Sequence, residues 1–594
     1  MTADKRNTAI CLVLLGVLTL AVFWRTSGFD YVSIDDYEYI TSNRMVTGGL
    51  TAEGVKAAFT KVYEGLWIPL TWVSYMADVS AFGLKPSSFH TTNVLLHLVN
   101  VLLLFWFLKS ATGSLWKSFF VTALFAVHPL RAESVAWITE RKDVLAGLFF
   151  LLALLSHLGW ARSGKKYRYV LTLVFTLLSL LAKPMAVMMP AALLLLDFWP
   201  LGRFPKEVFA GEREAYRKLL VEKLPFLALS VVFAFSTMYA QAAGSALGQG
   251  RGFSTTVFYG LVNASRAYWI YLGKTFWPLN LAFEYQADLT NIQILLAVPA
   301  FILLAAVSVL AWRWRKKAPE LAFGWFWYFF VLLPVSGVVP SGVQRLSDRF
   351  TYLPHIGVLV ALVWGAGRYL AVTRRAKIGL AAAGAIIVAG LGGLCYVQAG
   401  YWKDTATLFS RMDSMGGREY RVAYQEYLIG CKMFNEGKPE AALEFFRSVI
   451  RRNPDYPGVY MNASLAAYDA KRIDEAMALA RTGVSKGETL AGLVLGNGYA
   501  AKGQYGEAKT QYELVLKSHP ENLDALCNLA QMNQVYGNAG EAIRLFNEVL
   551  KIDGENIVAH ERLARLLNAA GDTEGARRHQ QEAERLKSPG TPGR

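Results

Sequence analysis

Two adjacent acids, Asp35 and Asp36, follow the first apolar stretch of the chain, in Phe29-Asp-Tyr-Val-Ser-Ile-Asp-Asp-Tyr-Glu-Tyr39. Two carboxylates beside a membrane are costly to hold, so packing alone rarely explains them. Neighbouring acids raise one pKa of the pair, which suits a carboxylate that exchanges a proton. The same pair could also ligate a divalent metal. The alternative is a solvated loop or a helix N-cap, which Asp also favours.

Ionisable residues are dense in two later segments, His128-Pro-Leu-Arg-Ala-Glu133 and Glu140-Arg-Lys-Asp143. Their density beside a bilayer predicts an anion site or a network that positions a ligand, and mutual ion pairs at the surface are the alternative. Basic side chains from separate loops can converge on a phosphate, where bidentate Arg contacts are strong. The phosphate-binding candidates are Arg131, Arg141, Lys183 and Arg349.

A polar stripe marks the second apolar segment. His90, Asn93, His97 and Asn100 recur at spacings of three, four and three, which places them on one face of a helix. Such a stripe must face protein or a water-filled cavity. Hydrogen bonds between helices are favoured slightly over a role in the reaction.

Composition predicts a membrane domain followed by a soluble domain. The chain has 594 residues, of which 54% are hydrophobic, and its mean hydropathy is +0.28. Long apolar runs extend to about Tyr396 and give way to an amphipathic pattern after Tyr401. The net charge of +16 comes largely from basic clusters between apolar segments, which argues against nucleic-acid binding. The four cysteines have no spacing typical of a disulfide framework or a metal site.

Charge distribution predicts the sidedness. Under the positive-inside rule, basic loops face the cytoplasm. An even number of membrane spans must therefore separate one basic loop from the next, which gives about 11 spans in total. The segment 256–278, interrupted by polar residues and Pro278, is predicted to lie at the interface or re-enter. With the N-terminus in the cytoplasm, the first outer loop (26–89) and the C-terminal domain face outward.

The C-terminal part has a 34-residue period. Gly437, Gly503, Gly537 and Gly571 each precede a recurring alanine by five positions, and the alanines are Ala442, Ala476, Ala508, Ala542 and Ala576. This pattern predicts about five tetratricopeptide repeats (TPR) over residues 399–590, with an earlier half-unit starting at Tyr401. The α-solenoid that they form presents a concave face to peptides or proteins, and a purely structural stack is the alternative.

Several motifs together resemble a known family. They are Asp35-Asp36, Trp67-Ile-Pro-Leu-Thr-Trp72, Phe89-His-Thr-Thr-Asn-Val-Leu-Leu-His97, His128-Pro-Leu-Arg-Ala-Glu-Ser-Val-Ala-Trp137, Glu140-Arg-Lys-Asp143, Leu181-Ala-Lys-Pro-Met185, Asp197-Phe-Trp-Pro-Leu-Gly202 and Asp348-Arg-Phe-Thr-Tyr-Leu-Pro354. With the repeats, they resemble bacterial relatives of the transmembrane and tetratricopeptide-repeat (TMTC) protein O-mannosyltransferases, of the GT-C superfamily of glycosyltransferases. Leu66 departs from the bulky polar or aromatic residue more often expected there.

The resemblance implies an all-α fold: a GT-C-type polytopic bundle over 1–398, in the bacterial inner membrane, with a periplasmic TPR domain. It implies an inverting transfer of mannose or another hexose from a polyprenyl-phosphate donor to a Ser or Thr of a protein acceptor that the repeats recruit. Asp35 is the expected general base, with Asp36 its neighbour or the alternative, and no cofactor is required beyond the lipid-linked donor, although a divalent metal could assist. Supporting roles are expected for His90, Asn93, His97, His128, Glu133, Asp143 and Tyr352.

Two other functions fit parts of the sequence. A non-catalytic membrane scaffold would explain the repeats but not the paired acid or the charged loops. A glycan polymerase or ligase would use the same donor chemistry with a glycan or lipid acceptor.

Overall fold

The computed structural model describes residues 3–32, 34–204, 213–243, 253–283, 285, 294–337, 346–414, 418–435 and 437–587. Within these ranges the chain is helical and contains no β-strand, so the predicted all-α fold is confirmed. The chain divides into two compact units, Met1–Met415 and Gly416–Arg594.

The first unit contains eighteen α-helices within the described residues, joined in several places by short 3-10 turns. They are α1 (Ala3–Phe23), α2 (Arg44–Thr47), α3 (Ala52–Thr60), α4 (Pro69–Phe82), α5 (Pro86–Thr112), α6 (Leu115–Val127), α7 (Ala132–Ala136), α8 (Arg141–Ser163), α9 (Lys166–Ala182), α10 (Met189–Phe198), α11 (Arg213–Val221), α12 (Leu224–Ala243), α13 (Phe253–Phe276), α14 (Ala297–Trp314), α15 (Pro319–Leu332), α16 (His355–Tyr369), α17 (Arg374–Gly400) and α18 (Thr405–Ser414).

Six segments of the described residues are long and apolar enough to cross a membrane. They are Ala3–Gly28, Pro86–Thr112, Ile138–Ser163, Leu224–Gln241, Ala297–Trp314 and Arg374–Gly400. Three shorter apolar helices are Leu115–Val127, Pro184–Phe198 and Pro319–Val335. Several apolar helices are therefore confirmed. The count of about 11 spans stays a prediction, as does the place of segment 256–278, most of which lies in α13.

Over its described residues, the second unit is a stack of five helical hairpins. Its helices are α19 (Arg418–Asn435), α20 (Pro439–Arg452), α21 (Val459–Asp469), α22 (Ile473–Ser485), α23 (Ala491–Ala501), α24 (Tyr505–Ser518), α25 (Leu523–Val535), α26 (Ala539–Ile552), α27 (Ile557–Ala569) and α28 (Thr573–Lys587). The predicted tetratricopeptide repeats are confirmed.

The repeat pattern follows from close packing. Ala442, Ala508 and Ala542 are completely buried, and the aromatic four positions later is buried beside each of them, as with Phe446. A larger side chain in place of the alanine would separate the paired helices. Gly503, like the other turn glycines, has a positive φ of 74°, a conformation that costs glycine least.

The segment before the repeats packs with the first unit. Trp402 is buried and stacks on Trp137, with ring centroids 5.1 Å apart. The amide of Asp30 donates to the carbonyl of Lys403, at 2.9 Å. Residues 399–415 therefore lie in the first compact unit, and the domain boundary after residue 398 and the half-unit at Tyr401 stay predictions.

Candidate active site

The two adjacent acids have different surroundings. The side chain of Asp36 is completely buried, and its Oδ2 accepts a hydrogen bond from the amide of Val32 at 2.8 Å. Burial raises the pKa of Asp36 to about 8. At neutral pH this carboxyl keeps its proton, so Asp36 is poorly suited to accept another.

Asp35 is only partly buried. Burial raises the pKa of its carboxyl, the nearby positive charges of Lys142 and Arg349 lower it, and the negative charge of Glu140 raises it. Burial has the largest effect, so the pKa of Asp35 lies above its ordinary value, and the two cations partly offset that rise. Of the two acids, Asp35 has the accessibility and the electrostatic surroundings that a proton acceptor needs.

Glu140, at the N-terminal end of α8, is the centre of a cluster of basic side chains. It is completely buried, and its Oε1 lies 3.0 Å from Lys142 Nζ and 3.0 Å from Arg349 Nε. Its Oε2 lies 3.3 Å from Lys183 Nζ. Because the three basic side chains are 10–13% exposed while Glu140 is not, a ligand would meet the cations first. We call Glu140 with Lys142, Lys183 and Arg349 the outer cluster.

Two further carboxylates, those of Asp143 and Glu133, form ion pairs with cations of the outer cluster. Asp143 Oδ1 lies 2.5 Å from Lys183 Nζ, and Asp143 Oδ2 accepts from Ser134 Oγ at 3.1 Å. Glu133, on the short helix α7, forms an ion pair with the guanidinium of Arg349 and accepts from its amide at 3.0 Å. The predicted supporting residues Glu133 and Asp143 thus contact two of the predicted phosphate ligands.

Trp137 forms a platform beneath the outer cluster. The guanidinium carbon of Arg349 lies 5.3 Å from the indole centroid, and Lys142 Nζ lies 5.9 Å from it. Cations over an indole face are attracted by its quadrupole, which holds both side chains over the ring. The ring of Trp137 also stacks on the ring of Trp402.

Arg131 packs inside the bundle and does not join the outer cluster. It is completely buried, and its guanidinium donates to the carbonyl of Tyr352 at 2.8 Å and to Thr351 Oγ1 at 2.6 Å. Arg131 thus makes structural contacts in this bundle, and the phosphate-binding role expected for it stays a prediction.

Arg141 also makes structural contacts, and its expected phosphate-binding role likewise stays a prediction. It is completely buried and lies 2.6 Å from Asp78 Oδ2. It donates to Asn93 Oδ1 at 2.9 Å and to the carbonyls of Phe89 and Ser74. These contacts bind α8 to α4 and α5.

The polar stripe on α5 joins helices. His97 Nδ1 lies 2.9 Å from the Tyr352 hydroxyl, and Asn100 donates to the carbonyl of Val144 at 2.7 Å. Asn93 donates to the carbonyl of Trp137 at 3.1 Å. These contacts support the packing role that the sequence favoured over a reaction role.

The last two supporting candidates also make structural contacts. His90 Nε2 lies 3.3 Å from the carbonyl of Asp30, at the base of the loop that carries the paired acid. His128 Nε2 lies 3.0 Å from the carbonyl of Thr275. Among the described residues, no group of three or more His, Cys, Asp or Glu side chains is arranged to hold a metal ion, and the expectation of a divalent metal stays a prediction.

Glu140, Lys142 and Trp137 were absent from the predicted site. The sequence did contain a signal for these residues, because all three lie in or next to the two segments that are dense in ionisable residues. Neighbouring residues on a helix point about 100° apart, so only one of Arg141 and Lys142 can face the cluster. The local sequence does not decide which.

Comparison with known proteins extends these observations. Tetratricopeptide-repeat family models match residues 433–488 and 493–557. The protein O-mannosyl-transferase F38B6.6 of Caenorhabditis elegans is 22% identical over 469 residues, which cover 75% of this chain and 63% of that protein. Mouse TMTC4, also named a protein O-mannosyl-transferase, is 22% identical over 493 residues, which cover 73% of this chain and 65% of that protein.

The resemblance to the TMTC family is confirmed. A shorter stretch of 90 residues is 42% identical to mouse TMTC1, another TMTC protein O-mannosyl-transferase, and covers 15% of this chain and 10% of that protein. This chain spans less than two thirds of the length of the TMTC relatives F38B6.6 and TMTC4. Its bacterial origin stays a prediction.

Among solved structures, MamA from Desulfovibrio magneticus RS-1 aligns with a TM-score of 0.26 at 18% identity. The alignment covers 29% of this chain and 96% of that chain. YrrB, a TPR protein, aligns with a TM-score of 0.26 at 15% identity and covers 30% of this chain and 93% of that chain.

Proposed function

We propose that this chain is a membrane glycosyltransferase that moves mannose or another hexose from a polyprenyl-phosphate donor to a Ser or Thr hydroxyl of a protein. The observation that carries the proposal is Asp35, a partly buried carboxylate whose charge interacts with those of Lys142 and Arg349 in the outer cluster. The names of the TMTC relatives, which are protein O-mannosyl-transferases, support the same reaction class.

In the proposed reaction the acceptor oxygen attacks the anomeric carbon and gives its proton to Asp35. The bond from the anomeric carbon to the phosphate oxygen breaks, and its electron pair stays on that oxygen. A single displacement of this kind inverts the anomeric centre and needs one base. Lys142, Lys183 and Arg349 stabilise the charge that develops on the leaving phosphate.

The rest of the chain suits the two substrates. Apolar helices would hold a donor with a long lipid tail, and the predicted topology puts the first outer loop and the repeats on one side of the membrane, the periplasmic side of a bacterial inner membrane. Stacked repeats offer an extended surface to peptides. The repeats would therefore recruit the acceptor, and transfer would occur at the outer face.

The proposal is tested with the full chain purified into lipid nanodiscs, a polyprenyl-phosphate hexose carrying a radiolabel, and Ser/Thr-containing peptides. We expect labelled glycopeptide from the native chain and from Asp36→Asn, and none from Asp35→Asn. Failure of the native chain to bind the donor would support the scaffold alternative. Label found only on a glycan or lipid acceptor would support a polymerase or ligase.

A further inference from the structure

At the centre of the outer cluster, where the three cations would bind a phosphate, lies the carboxylate of Glu140. Glu140 contacts all three cations at 3.0–3.3 Å and is completely buried among them. A transferase that only needed to bind phosphate would leave such cations uncompensated. An internal carboxylate at the centre of the cluster weakens its attraction for any anion.

The charge count of the cluster makes this effect large. Lys142, Lys183 and Arg349 supply three positive charges, and within the described part of the chain their ion pairs include those with Glu133, Glu140 and Asp143. In these ion pairs three carboxylates face three cations. Because Glu140 alone contacts all three cations, its charge has the greatest influence on what they bind.

The proposed reaction changes the charge of the lipid. The donor is a phosphodiester with one negative charge, whereas the product is a phosphomonoester with about −1.5 to −2 at pH 7. A site with three uncompensated cations would hold the product more tightly than the donor. The enzyme would then be inhibited by its own product.

We propose that Glu140 is a positioning residue that sets the release of the lipid phosphate product, by balancing the cations that bind it. This inference rests on the proposed function. Glu140 does not touch the reacting atoms; it acts through Lys142, Lys183 and Arg349. Its carboxylate holds the three side chains in one place and limits how strongly they retain the doubly charged product.

The test compares native protein with Glu140→Gln, an amide of the same shape without the charge. Turnover is measured with the full chain in nanodiscs, with polyprenyl phosphate added as inhibitor. We expect the inhibition constant of polyprenyl phosphate to fall about tenfold or more, the KM of the donor to fall less, and kcat to fall as release becomes limiting. A merely structural role predicts weaker binding of both lipids.

Two further variants keep the test decisive. Glu320→Gln removes another buried carboxylate that pairs with an arginine, Arg368, and should leave the inhibition constant unchanged. Adding Lys142→Gln to Glu140→Gln restores the charge balance and should return the product affinity toward the native value. If Glu140→Gln does not fold, Asp143→Asn, which removes the ion pair with Lys183, should tighten product binding to a smaller extent.

The outcomes separate the two proposals. If native protein neither transfers the hexose nor binds polyprenyl phosphate, the proposed function fails. If native protein transfers the hexose and the product binds to Glu140→Gln no more tightly than to native protein, the role of Glu140 is overturned and the proposed function stands.

Discussion

The two ends of helix α8 carry ionic clusters of similar construction. At its N-terminal end, Glu140 is surrounded by Lys142, Lys183 and Arg349. Near its C-terminal end, His157 of α8 joins a second cluster centred on Asp197, which we call the inner cluster. Asp197 is completely buried and lies 3.0 Å from His157 Nε2, 2.9 Å from Arg203 Nη1 and 2.6 Å from Lys223 Nζ.

Each cluster also has a tryptophan beneath two of its cations. Trp137 supports Arg349 and Lys142 in the outer cluster. In the inner cluster, the ring of Trp160 lies 4.9 Å from the guanidinium carbon of Arg203 and 5.9 Å from Lys223 Nζ. A carboxylate, basic side chains and an indole face are therefore not enough to mark a reaction site.

The difference lies in what stands beside the cations. In the inner cluster, Arg203 and Lys223 also face Glu222, at 3.0 and 3.6 Å, so a second carboxylate from the same short part of the chain closes the cluster. In the outer cluster Glu133 and Asp143 pair with the cations in a similar way. The additional acid there is Asp35, which belongs to a distant loop and is partly exposed. The comparison indicates that the inner cluster holds helices together, while the outer one is built around an accessible carboxylate.

The largest expected effect is the loss of the accessible carboxylate. Asp35→Asn should lower kcat by about 10²- to 10⁴-fold, since an amide cannot accept the proton of the acceptor hydroxyl. The measurement is the initial rate of hexose transfer per folded molecule, with Asp36→Asn as the matched control. Equal rates for Asp35→Asn and native protein would remove the distinction between the clusters.

The next largest effect comes from the arginine of each cluster. Arg349→Ala should lower kcat/KM about 10²-fold, because the leaving phosphate loses a guanidinium partner. Arg203→Ala, in the inner cluster, should leave kcat/KM per folded molecule unchanged. A loss of similar size in both variants would show that the clusters share one role.

For the stability of the fold, the larger effect is expected in the inner cluster. Asp197→Asn leaves Arg203 and Lys223 without their buried partner, and breaking a buried ion pair costs about 3–5 kcal/mol. We expect a fall of several degrees in the melting temperature of the purified chain, with transfer per folded molecule retained. A variant that is as stable as native protein but inactive would contradict the structural role of the inner cluster.

The remaining effect concerns the buried acid of the pair and changes stability with pH, with no expected change in the rate of transfer. The folded chain keeps the Asp36 proton up to about pH 8, whereas the unfolded chain releases it near pH 4. The stability from this group is therefore present below about pH 4 and is lost as the pH rises to about 8. In Asp36→Asn, the melting temperature should depend less on pH between about pH 4 and 8 than in native protein. An unchanged pH dependence would contradict the burial of the Asp36 carboxyl.

Much of the fold followed from periodicity in the sequence. The 34-residue spacing of alanines predicted the hairpin stack because only a small residue lets those helices approach. Apolar runs predicted the membrane helices. The contact of Trp402 with Trp137 could not be predicted, because Trp137 lies far away in the chain and no local pattern records that contact.

The candidate site was predicted less completely. Charged segments beside the bilayer pointed to the correct part of the chain, but composition does not tell which cation faces a ligand. Arg131 and Arg141 satisfy carbonyls of neighbouring helices, whereas Lys183 and Arg349 meet at Glu140. That choice depends on helix rotation and tertiary packing, which single residues do not encode.

A single-turnover experiment tests the central claim most directly. Purified chain in nanodiscs is loaded with labelled polyprenyl-phosphate hexose, donor occupancy is measured by native mass spectrometry, and transfer is started with acceptor peptide. We predict that Asp35→Asn binds the donor as native protein does and transfers the hexose at least about 100-fold more slowly. Equal occupancy with an equal transfer rate would contradict the assignment of Asp35 as the base.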